Sequence, residues 1–436
     1  MPNESSSTKN DAAWQALFEQ YGILSRIAKE GHVEIDSATI NRVRESRLMT
    51  KLDHRSNLPR IFKDHDLSIL PLTRGSYVIA PFQAYQDIRY RHDAKPIRIR
   101  HRFDLESLDY RNLYSESAAL NYAAATGLLA EVLGEPCELT ISGRMSSRDF
   151  GFVIRQAQHP DHLIPIQVRN AQIEIDGGYE GQTKLALIEA KNAKCEDFLI
   201  RQMYYPYRAW AGRVSKQVVP IFMTFSNDVF SFFVYEFREE GHYNSLVLLQ
   251  QKHFIVAAEP INLGDIKQLA ENTPGIDEPD IPFPQADDFD KVIDLLGLLM
   301  SGELSKEDIA SNYDFDKRQA FYYFAAARYL GLADNVSNTD GKESKIRLTA
   351  EGRRILTLPH KDKNLAFAQA ILRHRAFGEV LRFSFKTTRQ PRSDEIVRIM
   401  RKCGLYGVIA ESTFRRRAQT VLRWIDWILQ LDEEET

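Results

Sequence analysis

The residues whose types and spacing carry the most chemistry are Asp176 and the run Glu189-Ala190-Lys191, with twelve residues between them. Lys184 to Lys191 reads as an apolar strand, on which residues two apart share a face, so Glu189 and Lys191 project together while Ala190 turns away. Asp176-Gly177-Gly178 has turn chemistry, and a chain folded back there brings Asp176 beside Glu189. Two carboxylates and an ammonium group then converge at one sheet edge. Paired carboxylates, waters and a phosphate oxygen suit Mg²⁺, a hard cation with octahedral oxygen ligands, and Mn²⁺ can substitute. The chemistry of such a set is phosphodiester hydrolysis: a bound ion acidifies water and neutralises charge on the phosphate, and Lys191 orients the nucleophile or stabilises the crowded phosphorus. Acid-x-Lys triplets also occur at Asp93-Ala94-Lys95, Asp265-Ile266-Lys267, Asp340-Gly341-Lys342 and Glu343-Ser344-Lys345. Only the 189–191 triplet ends an apolar strand, follows an acidic turn and precedes an amphipathic helix. The plainer reading of Glu189 and Lys191 is a surface ion pair on an ordinary sheet.

The elements that must position these residues run helix, three or more strands, helix, strands. An alanine-rich helix spans about 115–133, opened by Glu116, and strands follow over 138–142, 150–155, 166–176 and 184–191. Residues 196–213 have helical periodicity and carry Gln202, and 218–225 with 229–237 forms a hairpin turned at Ser226-Asn227-Asp228. Upstream, residues 1–72 read as a helical arm or cap, on apolar positions such as Trp14, Leu17, Phe18, Tyr21 and Leu24. The alternation in 97–102 puts Arg98, Arg100 and Arg102 on one cationic face of a strand, for phosphate contact or as a charged, solvated sheet edge. Downstream, prolines 260, 274, 279, 282 and 284 beside acidic residues mark 259–288 as a linker or a wrap over a domain surface.

The order of elements from Glu116 to Phe237, with Asp176, Glu189 and Lys191 in place, resembles the PD-(D/E)xK nuclease superfamily, in particular type II restriction endonucleases. The resemblance implies a mixed α/β core over 73–258, a mixed sheet flanked by helices. It also implies that Asp176, Glu189 and the Ala190 carbonyl are metal ligands and that Lys191 is the catalytic lysine. A helix acid assists in some members, a place Glu116 would fill. In the exonuclease-type branch a glutamine on the next helix is followed four residues later by tyrosine; here Gln202 is followed by Pro206, with Tyr205 one residue short, and Ile175 stands where the family has proline.

The chain carries −3 overall, yet residues 361–430 hold fifteen lysines and arginines against six acids, a net +9. A basic end on a mildly acidic protein implies a polyanionic partner touched by part of the molecule, most often nucleic acid. Three helices and a polar hairpin over 289–358 read as a winged helix-turn-helix. Its third helix begins Asp316-Lys317-Arg318-Gln319 and continues with Tyr322, which places Lys317, Arg318, Gln319 and Tyr322 to read bases in a major groove, with Lys345 and Arg347 near the wing for phosphates. Used only for protein contacts, the same unit would keep its tyrosines as core aromatics. Residues 359–436 read as a basic helical DNA-binding module, with Arg415, Arg416 and Arg417 at the start of its long helix.

At 43% hydrophobic and 27% charged residues the chain is ordinary globular protein of about three folding units. Its apolar runs are too short to span a bilayer and MPNESSSTKN is not a secretory signal, so a cytoplasmic protein without membrane contact is expected. The three cysteines form no Cys-x-x-Cys pair, and no His-Glu-x-x-His, Walker loop or Gly-x-Ser-x-Gly occurs, which removes support for zinc, nucleotide-driven and serine-hydrolase chemistry. The expectation is a Mg²⁺-dependent type II restriction endodeoxyribonuclease acting on double-stranded DNA. One site per subunit implies a homodimer, and the host would need a cognate DNA methyltransferase. The rivals are a non-enzymatic winged-helix regulator and a repair or modification-dependent nuclease.

Overall fold

The computed structural model describes residues 8–91, 96–99, 105, 107–257, 259–305, 308–309, 317–336 and 345–433. Its centre is a seven-stranded mixed sheet. In chain order the strands are β1 (Ile97–Ile99), β2 (Glu138–Ser146), β3 (Gln172–Glu180), β4 (Lys184–Lys191), β5 (Gln217–Ser226), β6 (Val229–Phe237) and β7 (Leu246–Val256). Across the sheet they run β1-β7-β6-β5-β4-β3-β2, with β4 parallel to β5, β1 parallel to β7 and the other pairs antiparallel. Parallel neighbours need a crossover, and the helix α2 (Arg201–Ala211) supplies it between β4 and β5. The helix α1 (Glu116–Ala125), capped by Ser115, precedes β2.

At its centre the sheet is buried on both faces, which is why β4 reads as a nearly continuous apolar run, while β1 and β2 at its edges are largely exposed. Leu185 and Leu187 face a core built with α2, Phe222 and Phe233, while Ala186, Ile188 and Ala190 face one built with α1 and the helix Leu128–Leu133. Two expectations about the strands change here. Residues 150–155 and 166–169 do not enter the central sheet: Asp149–Arg155 and Leu163–Arg169 pair with each other as a separate ribbon. And the chain does not turn at Gly177-Gly178, because β3 continues through both glycines to Glu180 and reverses over 181–183. The glycines serve close packing instead. A Cβ on Gly177 would lie 2.7 Å from Leu120 and from the Tyr179 ring, and one on Gly178 2.7 Å from the Cβ of Ile141.

The N-terminal unit is mixed rather than purely helical. Helices Lys9–Tyr21 and Ile23–Glu30 pack with a three-stranded sheet of Val33–Asp36, Ser76–Ala80 and Ser68–Pro71 around Trp14, Phe18 and Phe62. Its last strand therefore lies beyond the expected boundary at residue 72.

At the other end, one hydrophobic core unites residues expected to form a linker, a winged helix and a separate basic module. The proline-rich stretch is a wrap: it contains the helix Leu263–Asn272, and Phe283 and Ala286 are buried. The helices α3 (Phe289–Leu298) and α4 (Lys317–Tyr329) accompany a small sheet ordered Leu304–Ser305, Lys345–Leu348, Ala333–Val336. The helices α5 (His360–Leu372) and α6 (Glu411–Gln430) complete the unit, with Trp424 fully buried against Phe289 and Phe377.

The C-terminal unit docks on the turn between β5 and β6, where Asn227 and Asp228 both take positive φ, as a two-residue hairpin requires. The Asp228 carboxylate accepts from Lys363 Nζ at 2.6 Å and from the His360 ring at 2.8 Å. Burial pushes the Asp228 carboxyl up, but the Lys363 ammonium and the His360 ring outweigh it and hold it down at about 2. Burial pulls His360 down, yet its bonds to Asp228 and Glu433 leave it raised. The depressed acid contributes stability above its ordinary value of about 4 that is lost as pH falls towards 2, and the raised His360 contributes stability below about 6.5 that is lost as pH climbs through its folded value. Urea unfolding at stepped pH values should therefore show greatest stability between about 4 and 6.5 from this network, with Asp228→Asn costing on the order of 2 kcal/mol at pH 6. An unchanged acid-side slope in that variant would contradict the assignment.

Candidate active site

Gly177 pairs with Ile188 in the β3–β4 ladder, which sets Asp176 across from Glu189 one step further on. The sequence thus placed these residues together correctly while misplacing the turn. Asp176 Oδ2 accepts from the Ala190 N–H at 2.8 Å, a bond that fixes the acid against the strand carrying the triplet. Lys191 Nζ donates to Glu189 Oε1 and, at 3.3 Å, to the Ala190 carbonyl. From α2, Gln202 Nε2 reaches the same Glu189 oxygen at 2.5 Å. From the start of α1, Glu116 Oε1 lies 3.9 Å from Lys191 Nζ. All five side chains read from the sequence as one site, Asp176, Glu189, Lys191, Glu116 and Gln202, therefore gather at the carboxyl end of β4.

The electrostatics follow from burial beside like charge. Glu189 is 9% exposed, and burial, reinforced by Asp176 and Glu116 against the pull of Lys191, raises its carboxyl to about 8. Glu116 is raised too, by burial first, with Asp176 and Asp53 adding to it and Lys191 and Lys51 opposing. Burial works against the charge on Lys191, but the carboxylates of Glu189, Glu116 and Asp176 outweigh it, and the ammonium is held well above its ordinary value. The site is thus a fixed cation among crowded acids, one of them poised to take or release a proton near neutrality.

The donor set suits a hard divalent cation. Asp176, Glu189 and the Ala190 carbonyl offer oxygen alone, and Gln202 Oε1 is buried without a hydrogen-bond partner. Among the described residues no group of three or more His, Cys, Asp or Glu side chains is arranged to hold a metal ion by itself. Two carboxylates and a carbonyl match the few protein ligands Mg²⁺ takes when waters and a phosphate complete its octahedron.

The proposed nucleic-acid contacts fare unevenly. Arg98 forms an ion pair with Glu433, so it is not a free phosphate contact, and Arg100 and Arg102 lie outside the described residues. Lys317, Arg318 and Gln319 begin α4, but their side chains lie outside what is described. Tyr322 is half-buried, while Lys345 and Arg347 are exposed on their strand. On α6, Arg415 is tied to Glu411 at 3.2 Å and Asp394 at 3.4 Å, and Arg416 is exposed. Arg417 overturns its assignment: it points inward, 7% exposed, with Nε and Nη1 unpartnered, and burial beside Arg416 lowers its guanidinium to about 10.

Sequence reasoning missed two sets of neighbours. Lys51 and Asp53 of the N-terminal unit act on the charge of Glu116, and the Asp53 carbonyl accepts from the Leu199 N–H at 2.8 Å just ahead of Gln202. On α3, Asp290, Lys291 and Asp294 bind the loop that follows Lys191. No local signal marks either set, since the partners lie about a hundred residues or more apart in the chain, or have no periodic relation to the triplet.

Three stretches match family models, each described as a domain of unknown function: residues 11–79 (DUF6996), 80–255 (DUF6997) and 291–433 (DUF7226). The whole gathered site from Glu116 to Gln202 falls within the middle stretch. No curated protein and no solved structure matches the chain. Among the described residues no helix is long and apolar enough to cross a membrane.

Proposed function

We propose that the protein is a Mg²⁺-dependent endonuclease of the type II restriction class that cuts double-stranded DNA at a specific sequence. The observation that carries this reading is the convergence of Asp176, Glu189 and Lys191, with Gln202 and Glu116 beside them, at the end of a strand parallel to its crossover partner. The order α1, β2, β3, β4, α2, β5 supports it, being the order of the PD-(D/E)xK core.

When bound, a divalent ion at Asp176, Glu189 and the Ala190 carbonyl would polarise the scissile phosphate and supply an activated water. The chain's own groups have distinct tasks. Asp176 and Glu189 set the oxygen donors on adjacent strands, held by the Ala190 N–H and by Gln202. Lys191 keeps its charge and can turn from Glu189 towards a phosphate oxygen, where a fixed ammonium stabilises charge that develops on the phosphorus. Glu116, raised and 46% exposed along its side chain, is placed to hold or pass a proton at the open rim.

Recognition falls to the C-terminal unit. Helices α3 and α4 with the three-stranded sheet follow the order of a winged helix, and Arg416, Lys345 and Arg347 offer exposed cations on this half of the molecule. A single site per chain fits action as a homodimer on DNA in the cytoplasm, with a cognate methyltransferase protecting the host. The test is digestion of a supercoiled plasmid with Mg²⁺ or Mn²⁺ against an EDTA control. Metal-dependent conversion to linear DNA is expected. Binding to a site without cutting would favour a winged-helix regulator, and cutting confined to methylated DNA a modification-dependent enzyme.

A further inference from the structure

The loop immediately after Lys191 is held from outside the nuclease-like core. Asp294 on α3 is 5% exposed, and its two carboxylate oxygens bind the loop that leaves β4 and the end of β5. Oδ2 accepts from the Lys194 N–H at 3.0 Å, three residues past the end of β4, and Oδ1 accepts from the Ser226 hydroxyl at 2.7 Å, at the last residue of β5. Two ion pairs reinforce the hold: Lys194 Nζ with Asp290 at 3.4 Å, and Lys291 with Glu196. From within the core, Tyr90 accepts the Cys195 N–H at 3.1 Å and lies under the Lys194 ammonium at 5.1 Å. In turn α6 holds α3 and the wrap just ahead of it, since Trp427 Nε1 donates to Asp290 at 2.9 Å and Trp424 Nε1 to the Ala286 carbonyl at 2.7 Å.

We infer that Asp294 is a positioning residue for catalysis: by tying the loop that leaves β4 to the end of β5 it steadies the backbone just beyond Lys191, so the C-terminal unit completes the active site. This rests on the nuclease reading above. A buried carboxylate bridging a loop and a strand end is costly to desolvate, and burial pushes the Asp294 carboxyl up to about 7 against its bonds to Lys194 and Ser226. Its two acceptor oxygens are both used, one on the loop that leaves β4 and one on the end of β5, whereas a packing role alone would be served by an apolar side chain. A small displacement of a catalytic group is enough to lower the rate steeply without touching substrate affinity.

The test compares the full chain with Asp294→Asn and Ser226→Ala. Each is assayed for Mg²⁺-dependent cleavage of a plasmid, for affinity to a duplex from that plasmid in EDTA, and for amide hydrogen exchange across 192–197. Asp294→Asn is expected to lower kcat by about 10²-fold. Its KM and DNA affinity should stay within about twofold of wild type, which a lost binding contact would not allow. Exchange across 192–197 should quicken. Ser226→Ala removes one of the two grips and should lower kcat by about fivefold, so it decides the matter if Asp294→Asn does not fold. A wild-type kcat in Asp294→Asn, an unchanged exchange rate, or a loss confined to KM overturns the inference and leaves the nuclease reading standing. A wild type that never cleaves sinks both.

Discussion

Lys191→Ala is expected to slow plasmid cleavage by on the order of 10²–10³-fold at saturating Mg²⁺, the cost of removing one fixed electrostatic stabiliser from a desolvated site. Two losses act together. The ammonium that can face the phosphate disappears, and Glu189 loses the cation that opposes its burial, so its carboxyl, already raised to about 8, moves further towards the neutral form. A neutral acid is a poorer oxygen donor, and more Mg²⁺ should be needed for half-maximal rate. The ammonium is buried among the acids that keep it charged, so the variant should lose some stability, and circular dichroism should show it folded under the assay conditions. Single-turnover cleavage measured against Mg²⁺ concentration separates the two losses. A variant that cuts within about threefold of wild type at every Mg²⁺ level would remove Lys191 from the chemistry.

The second large effect concerns stability. Trp424 is fully buried between Phe289 at 5.0 Å and Phe377 at 5.0 Å, and its indole N–H satisfies the Ala286 carbonyl at 2.7 Å. Trp424→Ala should cost about 3–5 kcal/mol through the cavity it leaves. The Ala286 carbonyl, left unpaired, adds to the loss. Because the wrap, α3 and α6 all meet at this ring, urea denaturation should show the whole C-terminal unit unfolding at lower denaturant, with cleavage falling as that unit detaches from the loop after Lys191. A loss below about 1 kcal/mol would mean that the wrap and α6 are not held together here.

Much of the candidate site was legible because its signal is local. Glu189 and Lys191 share a strand face by the two-residue period alone, and the apolar run of β4 announces a strand buried on both sides. Asp176 was reachable through the order of elements and Gln202 through the family resemblance, although the glycines beside Asp176 misled. Gly177-Gly178 is what a turn needs and equally what close packing against Leu120 and Ile141 needs, and composition does not distinguish the two. The hairpin at Asn227-Asp228 was readable because a two-residue turn demands positive φ and these side chains tolerate it.

What stayed hidden depends on contacts between distant segments. A charge run says nothing about partners, so Arg98, Arg415 and Arg417 looked alike; one pairs with Glu433, one with Glu411 and Asp394, and one turns inward. Prolines at 274, 279, 282 and 284 left a linker and a wrap equally open because both obey the same local rule, and only the burial of Phe283 decides for the wrap. The grip of Asp294 on Lys194 joins residues a hundred positions apart and has no periodic signature at all.

The central claim is best tested by one measurement: a plasmid of known sequence is digested by the wild type and by Asp176→Ala, with Mg²⁺ and with EDTA, and the fragment ends are mapped. Wild type with Mg²⁺ should give a small set of discrete ends that share one surrounding sequence, and neither Asp176→Ala nor EDTA should give any. Intact plasmid in every lane, or ends that persist in Asp176→Ala, would contradict the assignment of this cluster as the cutting site.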